Sequence, residues 1–301
     1  TATWLLEQEH DVTLFEQEPR LGGHAHTVAV ELAGRTCHHD AGFEFLSEGM
    51  FPTFVRLLRL VDAPLRPYRC TATFHTADGS MVRVLPPKRD GRVVLSGFAP
   101  RSLADMVQFA YVLRASRGLM QRKDDTIPLE RFVERLPGLT RRFKDQFLYP
   151  FLLAQWCVEP HELLGFMAYD VLRYSYEHFG LSLDAPSMLD IEGGTRSYVD
   201  AVRSQFTRAT VRLGAGVKQI ERTEGGLDVL SEGRRERFDA VVLATNAAAA
   251  SRLLQGIAGQ EEASRQFGRV RYFKTTIAIH GDTRLMPKNR AHWSIVNTRY
   301  D

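Results

Sequence analysis

The sequence predicts an α/β fold in two parts: a nucleotide-type domain built on a parallel sheet, split in sequence by a helical insert. Three observations predict it. Near the start, "DVTLFEQ" reads as a short strand that follows a helix and ends on a carboxylate, Glu16. Near the end, "FDAVVLATN" carries an apolar run, Ala240 to Ala244, of the kind buried on both faces of a helix-covered parallel sheet. Between them, residues 101–190 carry mostly helical patterning.

The chain has 301 residues, enough for one large domain or two intertwined ones. It has 39 basic and 36 acidic residues, a formal balance of +3, which is too small a surplus to argue for nucleic acid. The longest apolar stretch, "FLYPFLLAQW", holds a proline and falls short of the roughly 20 residues that span a bilayer. No charged-then-apolar signal segment opens the chain. Cys37, Cys70 and Cys157 form no CxxC spacing, which fits a reduced, cytoplasmic setting.

"TATWLLEQEH" reads as the body of a helix, and "SIVNTRYD" ends without a turn, so both termini read as truncations. Val12, Leu14 and Phe15 make the first strand. "VAVELAGRTCHHDAGFEF" reads as a hairpin turning at Ala33-Gly34. Phe54, Leu57, Leu58 and Val61 recur at helical spacing from Pro52 to Asp62. "CTATFHTADGSMVRVLP" alternates and turns at Asp78-Gly79, a second hairpin. The helical stretch is expected to break at Pro128, Pro137, Pro150 and Pro160. Its first helix, "RSLADMVQFAYVLRASRGLMQRK", places Leu103, Met106, Ala110 and Leu113 on an apolar stripe with a cationic end, so it either packs in the insert or lies on an anionic membrane. After Gly193-Gly194 an amphipathic helix leads into a run of strands that closes on Ala240–Ala244. "RYFKTTIAIH" reads as a further strand carrying Lys274.

Glu16 is the first chemical candidate. A carboxylate ending the second strand of a dinucleotide fold accepts hydrogen bonds from ribose hydroxyls; a surface glutamate is the alternative. Arg20 is suited to pairing with phosphate, and Gly22 and Gly23 allow close backbone approach or positive φ. His24, His26, His38 and His39 sit on adjacent segments, but no carboxylate or cysteine stands at ligand spacing, so no metal is expected. Asp40 precedes a glycine turn, which favours turn capping over base chemistry.

"DVTLFEQEPRLGGHAHTV" resembles the segment after the first helix in the flavin-containing amine oxidase and protoporphyrinogen oxidase superfamily. More narrowly, it is similar to bacterial predicted NAD/FAD-binding proteins grouped with cyclopropane-fatty-acid synthase genes. Further matches follow in order: "HDAGFEF", with Asp40 and Gly42 in a turn; "YPFLLAQWCVEPHELLGF", with Pro150, Ala154 and Trp156; "IEGGTRSYVDAV"; "GAGVKQIER"; "FDAVVLATN"; and "IHGDTRLMPKNRAHW". The superfamily's Gly-x-Gly-x-x-Gly turn and its last flavin-contacting glycine motif have no counterpart here, and "TNAAAAS" replaces a His-Ser-Asp-type turn of the narrower group.

The resemblance implies an FAD/NAD(P)-binding Rossmann-like domain of the glutathione-reductase type, from residues 1–48 and 191–258, without its first strand and glycine-rich loop. Residues 49–190 and 259–301 would form a mixed helical and antiparallel-sheet substrate domain. It implies an FAD-dependent oxidoreductase that passes hydride from an apolar substrate, such as a fatty acyl chain, to flavin N5. Glu16 would hold ribose; Arg20, Gly22, Gly23 and His24 the diphosphate and flavin side; and Val217 the adenine. Ala244 and Thr245 would lie near the nucleotide and Trp156 in the substrate pocket, with no catalytic acid or base assigned. A degenerate flavoprotein-fold binding module is the alternative, and an NAD(P)-linked reductase would need a second nucleotide site. Beyond the small-molecule or lipid substrate, the sequence is compatible with peripheral membrane contact and a homo-oligomer. The strands "VTLF" and "AVVLA" would flank a gap in the sheet, and unpaired buried backbone groups cost about 1–3 kcal/mol each. A stable form is therefore expected to supply the intervening strand from other residues or a partner, or to rearrange the sheet.

Overall fold

The computed structural model describes residues 1–300 apart from 33, 44, 87, 90–91, 95–98 and 179–184. In chain order its elements begin with α1 (Ala2–Leu6), β1 (Thr13–Phe15), β2 (Thr27–Leu32), β3 (Arg35–Asp40), α2 (Pro52–Leu60), β4 (Leu65–Arg69), β5 (Ala72–Thr76) and β6 (Val82–Leu85). The short β7 (Lys88–Arg89) and β8 (Arg92–Val93) precede α3 (Pro100–Arg122), α4 (Leu129–Glu134), α5 (Arg141–Phe143), α6 (Tyr149–Trp156), α7 (Pro160–Gly165) and α8 (Ala168–His178). There follow β9 (Ser187–Ile191), α9 (Thr195–Ser204), β10 (Thr210–Arg212), β11 (Val217–Thr223), β12 (Gly226–Ser231) and β13 (Arg234–Phe238). The chain closes with α10 (Ala247–Leu254), α11 (Glu261–Gly268) and β14 (Val296–Tyr300). Two compact units result: Thr1–Phe43, Leu60–Ala63 and Ile191–Lys274 make the first, and Glu44–Arg59, Pro64–Asp190 and Thr275–Asp301 the second.

In the first unit, β1 pairs in parallel with β10, Thr13 to Thr210 and Phe15 to Arg212. The predicted β2–β3 hairpin is present, with Ala33 of the expected turn outside the described residues. An antiparallel meander, β11-β12-β13, buries Ile220 and Val229 against Leu253, Leu254 and Ile257, with Phe15 and Val217 packed alongside.

Two expected strands, one in this unit and one in the substrate part, are absent. Ala240–Ala244 adopts no strand, and Val242 is 63% exposed. A strand needs a hydrogen-bonded neighbour, and no described strand pairs with this run. Its apolar content is used differently: Val241 and Leu243 pack on the meander's core. Residues 271–280 likewise lack a paired strand, and Lys274 is exposed in an extended segment. Periodicity registered the apolar residues there but not the missing partner.

The second unit is built on aromatic packing. Phe74 of β5 meets Phe147 and Phe151, whose rings stack 5.9 Å apart, and Phe109 of α3 sits edge-on to both. Full burial of such a side chain is worth roughly 1.5–3 kcal/mol. The predicted β5–β6 hairpin is present and β14 adds to it in parallel, so the sheet order is β14-β5-β6. Pro128 and Pro160 begin helices, as expected. Pro150 does not break one. Residues 141–156 run continuously through a π-helical turn, Lys144–Leu148, and the wider turn before Pro150 accommodates its ring and missing N–H.

Helix α3 also departs from its predicted stripe. Leu113 is buried, but Leu103 is 43% exposed, and the buried face is Ser102, Asp105, Val112, Leu113, Ser116 and Leu119. The reason is electrostatic. Asp105 enters the interior because Arg83 Nε donates to it at 2.8 Å and Arg142 Nη2 at 2.6 Å. Helix α3 packs against α8. Among the described residues no helix is long and apolar enough to cross a membrane.

Candidate functional site

The predicted nucleotide residues gather in the first unit, where strand ends meet glycine turns. Glu16 follows β1, and its main chain continues the parallel pairing by donating to Arg212 O at 2.9 Å. Its carbonyl accepts from Ala215 N at 2.8 Å, and Glu18 O accepts from Gly214 N at 3.0 Å. Gly216 packs so closely that a Cβ there would stand 3.0 Å from Gln17 Cβ. The segment 16–18 is therefore laced to 214–216, which places Val217 at the start of β11 beside Glu16. A bulge between Val217 and Gln219 interrupts the strand register at that point.

The Glu16 carboxylate is half-buried and shapes its own turn, with Oε1 accepting from Glu18 N at 2.9 Å. Its other oxygen has no protein donor among the described residues. A carboxylate at the end of a parallel strand with acceptor capacity to spare suits a ligand that offers hydroxyl donors.

The glycine loop comes next. Gly22, at φ +115°, is required twice over: a Cβ would lie 2.6 Å from Ala25 O and 3.3 Å from Val199 Cγ2 of α9. Gly23, at φ +56°, faces open space. Arg20 is committed to the loop itself, donating to Gly23 O at 3.0 Å and to Leu21 O and Ala25 O at 3.4 Å. Its guanidinium thus rigidifies the turn. The His24 side chain is exposed, and its carbonyl passes so near Gly42 that a Cβ there would stand 1.7 Å away.

Asp40 is a cap, and its target is remote in sequence. Both carboxylate oxygens accept from Thr195 N, at 2.9 and 3.0 Å, at the start of α9. Thr27 Oγ1 and Thr195 Oγ1 donate to Oδ1 at 2.5 and 2.8 Å. Gly194 makes the approach possible; at φ +82° its Cβ would meet Thr27 at 2.5 Å. Glu7 is a second such anchor that the sequence reading missed. It is buried and accepts from the backbone N–H groups of Thr207, Arg208 and Ala209 at 2.9, 3.1 and 2.7 Å. Burial pushes its pKa up, but these donors outweigh that and hold it below the ordinary glutamate value. No local pattern announces either bond, since each partner lies some 150 to 200 residues away; the one available signal was the Gly193-Gly194 pair.

Ala244 and Thr245 are exposed and lead into α10, which Asn246 caps by accepting from Ala249 N at 2.8 Å. Trp156 belongs to the second unit. It ends α6 partly buried, edge-on to Phe166, and its indole N–H is buried without a partner. The histidines bring no metal cluster together among the described residues.

Comparison with solved structures gives the fold. Putrescine oxidase bound to putrescine superposes with a TM-score of 0.56 at 15% identity, covering 84% of this chain and 56% of that one. An oxidoreductase from Methanosarcina mazei gives 0.58 at 17%, with coverage of 89% and 62%. A CLA-producing fatty acid isomerase from P. acnes gives 0.55 at 15%, with coverage of 89% and 60%. The chain thus spans 56 to 62% of the length of these proteins. No curated protein sequence matches it. Residues 1–283 match the flavin containing amine oxidoreductase family, so the chain belongs to that family, with its Rossmann-like fold and flavin cofactor.

Proposed function

We propose that this chain is the FAD-holding and substrate-facing part of an oxidoreductase acting on an apolar small molecule such as a fatty acyl chain. The observation that carries the reading is the lacing of Glu16 to the 214–216 segment, which puts a ribose-type acceptor at a strand end beside the start of β11. In this reading residues 1–48 and 191–258 hold the nucleotide and residues 49–190 and 259–301 the substrate. Glu16 accepts from ribose and the main chain at Val217 borders adenine. Arg20, Gly22, Gly23 and His24 shape the loop for the diphosphate and flavin side, and Ala244 and Thr245 border the nucleotide. FAD held there would supply the redox chemistry, as the acceptor at N5 of a hydride from a substrate carbon. Trp156, with its unspent N–H, orients the substrate. The similarity to a fatty acid isomerase supports an acyl substrate, and the similarity to putrescine oxidase keeps an amine in view. A cytoplasmic protein with peripheral membrane contact, alone or as a homo-oligomer, fits this reading.

A second reading, a binding module without catalysis, draws support from Arg20 being spent on loop carbonyls and from the unpaired Ala240–Ala244 run. FAD titration separates the two. The visible absorbance of bound flavin is expected to appear with the wild-type chain, and Glu16→Ala is expected to weaken binding at least tenfold, about 1.4 kcal/mol. A protein that ignores added FAD selects the module, and undiminished binding by Glu16→Ala removes the ribose role.

A further inference from the structure

Independently of any flavin, the second unit carries another candidate site. A cavity of about 200 Å³ lies between the β5–β6 hairpin and residues 284–292, with Arg299 of β14 at its side. At about 30 Å³ per water, it holds roughly six waters. It is therefore too small for a flavin nucleotide and large enough for an anionic group on a short carbon skeleton.

Its lining is one-sided. His75, Arg284, Lys288, His292 and Arg299 contribute, and among the described residues no carboxylate does. Not all of that charge is available. Arg284 is spent on Asp282, to which it donates from Nε at 2.9 Å and from Nη2 at 2.6 Å. Lys288 is different. It donates to the main-chain oxygen of Asp78 at 3.1 Å, so a neutral carbonyl fixes the ammonium in place without cancelling its charge. The Asp78 carboxylate accepts at Oδ1 from Thr76 Oγ1 at 2.6 Å and Ser80 N at 2.9 Å. Arg299 is exposed and pairs in register with His75 across β14 and β5.

His75 supplies the second observation. It is 4% exposed, and its Nε2 is buried with no hydrogen-bond partner among the described residues. Nδ1 stands 3.2 Å from Thr76 O. A carbonyl only accepts, so Nδ1 carries a proton, and in the tautomer protonated there alone Nε2 presents a lone pair. The site therefore offers a fixed ammonium and an exposed guanidinium together with one acceptor closed to water. A carboxylate would satisfy the cations and leave Nε2 unpaired. A protonated phosphate has oxygens for the cations and a P–OH to donate.

We propose that this cavity binds a phosphate group, free or as a phosphomonoester, whose P–OH donates to His75 Nε2 after a small ring rotation and whose remaining oxygens accept from Lys288 and Arg299. Calorimetric titration with inorganic phosphate and glycerol 3-phosphate tests it, with acetate and glycerol as controls. Both phosphates are expected to bind more tightly than acetate, and glycerol is expected not to bind. The double variant Lys288→Ala/Arg299→Ala, two exposed positions that leave the core intact, is expected to weaken phosphate binding at least tenfold. Phosphate is expected to move the His75 Nε2 resonance in ¹⁵N spectra, and acetate to leave it in place. Vesicles of phosphatidylcholine with phosphatidic acid form a further arm: binding there assigns the phosphate to a lipid headgroup, and binding of glycerol 3-phosphate alone assigns it to a soluble ester. Binding in neither arm, equal binding of acetate, or undiminished binding by the double variant overturns the proposal.

Discussion

The two units are held together by different means. The first has a small apolar core, Ile220, Val229, Leu253, Leu254 and Ile257, and fixes its turns with carboxylates on backbone N–H groups: Asp40 on Thr195, and Glu7 on residues 207–209. The second buries a stack of phenylalanines and sets one ionic group, Asp105 between Arg83 and Arg142, inside it. The difference follows from how closely the backbone is packed. The first unit's turns at Gly22, Gly42 and Gly194 approach their neighbours too closely for side chains to fit between them, so carboxylates fix the backbone directly. A unit that encloses its interior can rely on packing, with the ionic group fixing the register of α3 against β6 and α5.

The strongest way to break this comparison is Asp105→Ala. Asp105 is 1% exposed and Arg83 8%, so the change leaves a buried arginine without its counter-charge. The expected loss is about 3–5 kcal/mol, read as a lower urea midpoint at unchanged slope. A loss below about 1 kcal/mol would mean that the aromatic core alone fixes the unit.

Gly194→Ala comes next and tests the first unit's dependence on close backbone approach. Its Cβ would stand 2.5 Å from Thr27 Cγ2 and 3.0 Å from Asp40 Oδ1, at a φ of +82°. A loss of about 1–3 kcal/mol is expected from left-handed strain and a displaced cap together. Gly138→Ala sharpens the comparison, because Gly138 has the same φ and nothing within 4 Å of its added Cβ. It should show the cost of a positive φ without close approach, about 1 kcal/mol. Equal losses at the two sites would remove close approach from the account of the first unit.

The same contrast explains what could be read from the sequence. The hairpins at Gly34 and Asp78-Gly79, the helix from Pro52 and the glycine-pair helix were legible, because turn chemistry and periodicity are local. The α3 stripe misled because its buried face is partly polar, and Asp105 enters the interior only through Arg83 and Arg142, which are distant in sequence. Ala240–Ala244 and residues 271–280 looked like strands because composition records burial but not pairing. Of the site, Glu16, Gly22 and Gly23 were legible as a pattern. The commitment of Arg20 to carbonyls, the reach of Asp40 to α9 and the whole of Glu7 depend on folded contacts.

The smallest expected effect is also the one with the clearest pH signature. Glu7→Gln keeps one accepting oxygen for the 207–209 backbone and turns an amide NH₂ toward donors that want a second acceptor. In the wild type the folded pKa lies below the ordinary value of 4.5, so folding is favoured by deprotonation of Glu7. The contribution is complete above the unfolded-state pKa and is lost as pH falls through the lowered folded one. Urea midpoints of wild type and Glu7→Gln should therefore differ at pH 7, draw together from about pH 4.5 downward and coincide once Glu7 is protonated in both states. A gap that persists unchanged at pH 2.5 would assign the effect to packing of the side chain, and the first unit would then rest on its small apolar core more than on its carboxylates.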